Sequence, residues 1–238
     1  MMAYKLVAMD LDGTLTQHKS KLEAKNKELL NKLSQKYKTI IVGAGSCERI
    51  YNQLDQYPID IIGNYGMQES NIINNKFYLV KNYSYTIDKD FFIKTIAKLR
   101  KITGYTSYIG DSIEFHKSGA VTFPLIGTKA ALKDKLIFDP NGAKRTAIYE
   151  IVTDAFKDFN CFIGGTSSFD IIKKDYDKYL AIMRYAKEHN IKKHEILYVG
   201  DDFKKGGNDE QVLINNIDCI KVDDYSTISI LLEERGII

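Results

Sequence analysis

The chain has few cysteines, no long apolar run and little net charge, and each shortage removes a class of protein. Cys47, Cys161 and Cys219 are its only three cysteines and form no CxxC pair. An odd, scattered set argues against a disulfide framework or a zinc site and suits a reducing cytoplasm. No stretch approaches the ~18 apolar residues of a membrane span. The start, Met1 to Met9, lacks the basic segment and cleavage site of a signal peptide. A soluble cytoplasmic protein without a membrane partner is expected. The net charge is only +3 and the basic residues are spread out, so the compact basic face of a nucleic-acid binder is missing and no nucleic acid is expected as partner. What remains is 44% hydrophobic and 27% charged, an ordinary globular composition. There is no internal repeat and no low-complexity linker.

The order of elements says more. Tyr4–Met9 reads as a buried strand stopped by Asp-Leu-Asp-Gly. A helix pattern over 22–33, a strand at 39–42, a helix at 46–56 and a strand at 59–62 follow. That alternation predicts a parallel sheet covered by helices on both faces. Asn74-Asn75 between two apolar runs predicts a hairpin turn. After about Lys81 the rhythm changes. A helix is expected at 87–102, short strands at 112–115 and 120–125, helices at 129–137 and 142–159, then strands at 161–163 and 168–172. Such pairs predict an α+β insert with an antiparallel sheet. From Asp177 the β/α alternation returns. The expected fold is therefore α/β, with a Rossmann-like doubly wound parallel-sheet core formed by 1–81 and 176–238. An α+β cap domain over 82–175 interrupts it.

Chemistry concentrates at the ends of two predicted strands. Asp10-Leu11-Asp12-Gly13-Thr14 follows the first strand directly, and ligands of parallel α/β sheets bind beyond such carboxyl ends. Two carboxylates one residue apart can hold a hard cation through oxygen, and one of them can attack phosphorus. A second acidic strand end, Gly200-Asp201-Asp202, leads through Lys204-Lys205 to Gly206-Gly207-Asn208-Asp209 and offers further oxygen ligands for Mg²⁺. Val42-Gly43-Ala44-Gly45-Ser46 ends a strand and opens a helix, a favourable place for phosphate. It lacks the GK[ST] ending of a P-loop, which argues against an NTPase. Lys178, at the return to the core, could offset charge on a transferring phosphoryl group.

In this order the motifs DxDGT, Ser, Lys and GD…ND resemble the four motifs of the haloacid dehalogenase superfamily. The position of the insert is similar to that of the large-cap subclass. The likeness narrows to the eukaryotic-type phosphomannomutases through Asp10–Thr16 (DLDGTLT), Asn64-Tyr65-Gly66, Ile113-Glu114-Phe115 with Leu125-Ile126-Gly127, Ser168-Phe169-Asp170 with Asp177-Lys178, and Gly206–Asp209 (GGND). The resemblance implies Asp10 as nucleophile, Asp12 as acid and base, and Ser46 and Lys178 on the phosphoryl oxygens, with a serine match that also falls on Gly45. It implies Mg²⁺ held by Asp10, the Asp12 carbonyl and Asp201, with Asn208 and Asp209 orienting the metal site, and a cap that closes over the reaction. It assigns sugar hydroxyls to Ser168 and Asp170. Where that family grips the sugar's distal phosphate with arginines, this chain has His116, Thr128 with adjacent Lys129, Lys135 and, in the core, Lys19. Lysine loses the planar bidentate fork and threonine has no charge. The expectation is therefore hydrolysis of a small phosphorylated sugar. Interconversion of hexose 1- and 6-phosphates is the alternative, and non-catalytic sugar-phosphate binding a second. Monomer and homodimer both stay open.

Overall fold

The computed structural model describes residues 4–238, so the Met1–Ala3 part of the run leading into the first strand lies outside it. Among the described residues the chain forms two compact units. One holds the chain up to Tyr83 with Asp177–Phe203 and Asp209–Ile238, the other Ser84–Tyr176 with Lys204–Asn208. Along the chain the first unit contributes β1 (Leu6–Met9), α1 (Ala24–Lys36), β2 (Lys38–Val42), α2 (Cys47–Gln53), β3 (Asp60–Gly63), β4 (Gln68–Ile73) and β5 (Lys76–Asn82). The second unit contains α3 (Lys89–Thr103), β6 (Glu114–Phe115), β7 (Val121–Pro124), α4 (Leu132–Phe138), α5 (Ala143–Ala155), β8 (Phe159–Gly164) and β9 (Ser168–Lys173). The first then resumes with α6 (Lys178–Glu188), β10 (Ile196–Gly200), α7 (Glu210–Ile214), β11 (Asp218–Lys221) and α8 (Ile228–Glu234).

The first unit is built on a seven-stranded sheet in the order β11-β10-β1-β2-β3-β4-β5. Every residue of β1 is buried, because helices cover both faces. Val7 and Met9 pack with Leu29, Leu33, Ile50 and Leu232 on one side. Leu6 and Ala8 pack with Ile182 and Tyr185 of α6 on the other. This explains why β1 reads as a continuous apolar run rather than an alternating one. The strands from β11 to β3 pair in parallel, and β4 and β5 add an antiparallel edge. Their turn puts Asn74 and Asn75 at φ of 51° and 58°, the left-handed region that asparagine tolerates in a two-residue hairpin. From β1 the chain winds outward through β2 and β3, whereas β10 and β11 lie on the other side of β1. The strand order therefore reverses between β1 and β10, and such a reversal leaves a crevice beyond the strands' carboxyl ends.

The second unit has an antiparallel sheet in the order β6-β7-β9-β8. Val121, Phe123, Phe169, Ile171 and Ile163 pack with Phe92, Ile96, Val152 and Phe156 from α3 and α5. Several expected elements are trimmed, three of them for a visible reason. The helix expected over 142–159 ends at Ala155, where Phe156 leaves helical geometry and Phe159 opens β8. The helix expected from Lys129 starts only at Leu132, because Ala131 is extended. The strand expected over 112–115 keeps Glu114 and Phe115, since the Arg100 guanidinium takes the Ser112 carbonyl that a longer ladder would use. Lys204–Asn208 groups with this unit because Ile163 N–H donates to the Gly206 carbonyl at 2.8 Å.

Candidate active site

The acidic residues meet because β1 and β10 end level. Met9 is paired with Val199, and Asp10 N–H donates to the Val199 carbonyl at 2.9 Å, so Gly200-Asp201 emerges beside Asp10. Lys178 comes from the first position of α6, whose start is fixed by Asp177 accepting from Leu180 N–H at 2.6 Å. The Lys178 side chain is fully buried. Its Nζ lies 2.9 Å from Asp10 Oδ1 and 2.6 Å from Asp209 Oδ1. Burial alone would favour the neutral amine, but Asp10 and Asp209 outweigh it and hold the ammonium above the ordinary lysine range. Burial likewise pushes the Asp10 carboxyl well up; Lys178 opposes that shift while Asp209 and Asp201 add to it.

Asp209 is the most completely bonded of the carboxylates. Besides Lys178, its Oδ1 accepts from the Tyr198 hydroxyl at 2.5 Å. Its Oδ2 accepts from the backbone N–H groups of Asp201 and Asp202 at 3.1 and 3.0 Å. Asp209 therefore holds the Gly200–Asp202 turn and the lysine together. Asp201 accepts from the Thr14 hydroxyl at 3.0 Å. Burial, then the nearby Asp209, raises its carboxyl. Gly13 makes this approach feasible: at φ +94° a Cβ would stand 2.5 Å from Asp201 Oδ2.

Asp10, Asp201 and Asp209 each bring an oxygen within 4.8 Å of the others. A set of oxygen donors only, with negative charge in excess of the one lysine, fits a hard divalent cation such as Mg²⁺ and not a zinc centre. Asp10 and Asp201 have the less committed oxygens. Asn208 directly precedes Asp209 but belongs to the segment grouped with the second unit.

Asp12 is held from both sides. Its Oδ1 accepts from Gln53 Nε2 at 2.7 Å and from Lys19 N–H at 2.8 Å, and its Oδ2 accepts from Arg49 Nη2 at 3.1 Å. Burial pushes this carboxyl up, but the bonds from Gln53, Lys19 and Arg49 prevail and lower it below the usual aspartate range. Lys19 thus meets Asp12 through its backbone, at φ 59°. Ser46 caps α2, its Oγ accepting from Arg49 N–H at 3.2 Å, and Gly45 lies beneath the Arg49 side chain. Sequence reasoning missed Arg49, Gln53 and Tyr198, and named Thr14 only as part of the DxDGT motif, without a role. Arg49 and Gln53 are four apart on α2, a spacing that places them on one face; that is the signal that could have found them.

The remaining candidates lie in the second unit. Ser168 and Asp170 sit on β9, where Ser168 Oγ donates to the Gly164 carbonyl at 3.0 Å and Thr122 Oγ1 donates to Asp170 at 3.0 Å. His116 joins them through Thr122, 2.9 Å away. Thr122 and Asp170 are register partners opposite each other, on the sheet face away from the apolar core. Thr128 pairs with Asp111, its hydroxyl accepting from Asp111 N–H at 2.9 Å. Lys135 Nζ donates to the Thr128 carbonyl at 3.1 Å, and the Lys129 stem packs against Gly110. Both arginines of this unit are buried. Arg100 donates to four carbonyls and to the Ser112 hydroxyl. Arg145 pairs with Asp139 and donates to the Gly164 and Gly165 carbonyls.

Residues 7–213 match the family described as haloacid dehalogenase-like hydrolase. Among similar proteins, phosphomannomutase of Encephalitozoon cuniculi is 26% identical over 217 residues, spanning 85% of this chain and 82% of that protein. Phosphomannomutase of Schizosaccharomyces pombe is 25% identical over 229 residues, spanning 88% and 85%. Among solved structures, N-terminally truncated, IMP-bound IMP-nucleotidase of Plasmodium falciparum superposes with a TM-score of 0.70 at 15% identity. That match covers 99% of this chain and 69% of that one, a likeness of fold.

Proposed function

The chain belongs to the haloacid dehalogenase-like hydrolases, and from that membership we propose that it hydrolyses a small phosphorylated sugar through a phosphoryl group carried on Asp10, with Mg²⁺ as cofactor. An Asp10 oxygen forms a bond to phosphorus as the bond to the sugar oxygen breaks, and Asp12 gives that oxygen its proton. Asp12 must first take up that proton, because its bonds from Gln53, Lys19 and Arg49 favour the carboxylate. Water then attacks the phosphorus, Asp12 takes its proton, and the Asp10–phosphorus bond breaks. Lys178 holds Asp10 in place, and with Ser46 supports the phosphoryl oxygens. Asp10, Asp201 and the Asp12 carbonyl would hold the Mg²⁺, which supplies charge to offset that developing on phosphorus. Asn208 and Asp209 steady this region, and Ser168 and Asp170 recognise sugar hydroxyls.

The observation that favours hydrolysis over isomerisation is the burial of Arg100 and Arg145. A mutase must retain a bisphosphorylated sugar by its distal phosphate while the sugar turns round. In the second unit the guanidinium donors that would suit that task are used on the unit's own carbonyls and on Asp139. His116, Lys129 and Lys135 are left, without the bidentate fork. The names of the similar phosphomannomutases carry the second reading, interconversion of hexose 1- and 6-phosphates.

Phosphorus NMR of one reaction containing a hexose 6-phosphate, Mg²⁺ and hexose 1,6-bisphosphate separates the two. Release of inorganic phosphate is expected to outpace isomer exchange. Rapid exchange with negligible free phosphate would establish the mutase instead. Acid-quenched wild type should retain a labile phosphoenzyme, and Asp10→Asn should fold yet form none.

A further inference from the structure

We propose that Arg49 is a phosphate-binding residue of this site, its guanidinium moving from Asp12 onto the oxygens of the reacting phosphoryl group. This rests on the reading of Asp10 as a phosphoryl acceptor. Arg49 lies across the turn at Gly45. A Cβ at Gly45 would fall 2.1 Å from its Nε and 2.3 Å from its Nη2, so the absence of a side chain there leaves room for the guanidinium to approach the turn while it reaches Asp12.

Its present attachments leave it free to move. Nη1 donates to Gln53 Oε1 at 2.7 Å and Nη2 to Asp12 at 3.1 Å, with the side chain 41% exposed. Nε–H and one proton on each terminal nitrogen have no acceptor among the described residues. Arg145, by contrast, is only 5% exposed and engaged through all three nitrogens. Asp12 does not depend on Arg49 for its placement, since Gln53 and Lys19 N–H hold its other oxygen at 2.7 and 2.8 Å. The guanidinium can leave while that carboxylate stays.

Charge supplies the driving force. Asp10, Asp12, Asp201 and Asp209 oppose a phosphate dianion with Lys178 as the one buried cation among them. With a divalent ion the four carboxylates and Lys178 still carry one negative charge in excess before the phosphate adds two more, and Arg49 is a neighbouring cation that offsets part of this. The planar fork of donors also matches two phosphoryl oxygens at once, which an ammonium cannot do.

The test is calorimetric titration of inorganic phosphate into the full-length protein in excess Mg²⁺, for wild type, Arg49→Gln, Arg49→Lys and Gln53→Leu. Turnover and acid-quenched phosphoenzyme are measured on the same samples. Arg49→Gln should weaken phosphate binding about 10- to 100-fold, the loss expected for a charge-assisted pair. Arg49→Lys should recover part of it. Gln53→Leu, which removes a donor from Asp12 and the Arg49 Nη1 acceptor but keeps the guanidinium, should slow turnover and leave phosphate affinity within about threefold. Unchanged phosphate affinity in Arg49→Gln, or a Gln53→Leu variant that matches it in both readouts, would overturn the proposal and leave Arg49 acting only through Asp12. Arg49-dependent phosphate binding in a wild type that forms no phosphoenzyme would keep the proposal and remove Asp10 as acceptor.

Discussion

At the scale of single residues, the site depends on one buried cation. Lys178 stands between Asp10 and Asp209 with no exposed surface, so its removal leaves two buried carboxylates facing each other. Lys178→Ala should lose turnover and also lower stability by about 3–5 kcal/mol, the range seen when one partner of a buried pair is deleted. Urea unfolding of the two proteins at neutral pH checks this. A variant as stable as wild type would mean that Tyr198 and the backbone N–H groups suffice to hold Asp209. Each member of this group follows or precedes something readable in the sequence. Asp10 and Asp201 come directly after apolar runs, and Lys178 follows a capping aspartate. Arg49 and Gln53 were not legible, because the exposed face of a short polar helix looks the same whether it meets solvent or a carboxylate.

At the scale of elements, the turn between α4 and α5 is held by a charge pair that titrates. Asp139 is almost entirely buried and accepts from Arg145 Nε at 2.7 Å and from the N–H groups of Lys144 and Arg145 at 2.9 and 3.2 Å. Burial raises the carboxyl, but these bonds outweigh it and set it below the ordinary range. A carboxyl depressed on folding contributes stability above its unfolded value, about 3.9, and loses it as pH falls through the lower folded value. Wild type should therefore exceed Asp139→Asn in urea resistance at neutral pH. The gap should narrow below about pH 4 and close as Asp139 becomes protonated in both states. A gap unchanged from pH 7 to pH 2 would show that the pair contributes nothing through charge. The same elements mark where sequence periodicity misplaced boundaries. The apolar pattern of α5 continues past Ala155 into Phe156 and Phe159, whose rings fill the core around Phe92 without being helical. Apolar spacing reports burial, and burial persists where the backbone has already changed direction.

At the scale of the whole molecule, the first unit collects acidic groups from both ends of the chain, and their mutual repulsion should be visible in its stability. With Asp10, Asp201 and Asp209 within 4.8 Å of one another, a bound divalent cation relieves that repulsion in the folded state alone. Mg²⁺ at 100 times its dissociation constant should stabilise the protein by about 2.7 kcal/mol. Thermal melting with Mg²⁺ and with excess chelator reads this independently of activity. Turnover should vanish in chelator and return with Mg²⁺, and zinc should not be needed. Equal melting temperatures in the two conditions would remove the metal from this cluster. By itself the sequence determined the alternating β/α order, the acidic strand ends and the break in rhythm near Lys81, because these are local: apolar runs, turn residues and their spacing. Only tertiary structure decided that β10 lies against β1 rather than beyond β3. The same is true of Asp209, which binds lysine, tyrosine and two backbone N–H groups, and of Arg100 and Arg145, which face inward. Strand neighbours and hydrogen-bond partners separated by up to about two hundred residues are chosen by packing and by satisfaction of buried polar groups, and neither leaves a mark on the residues next door.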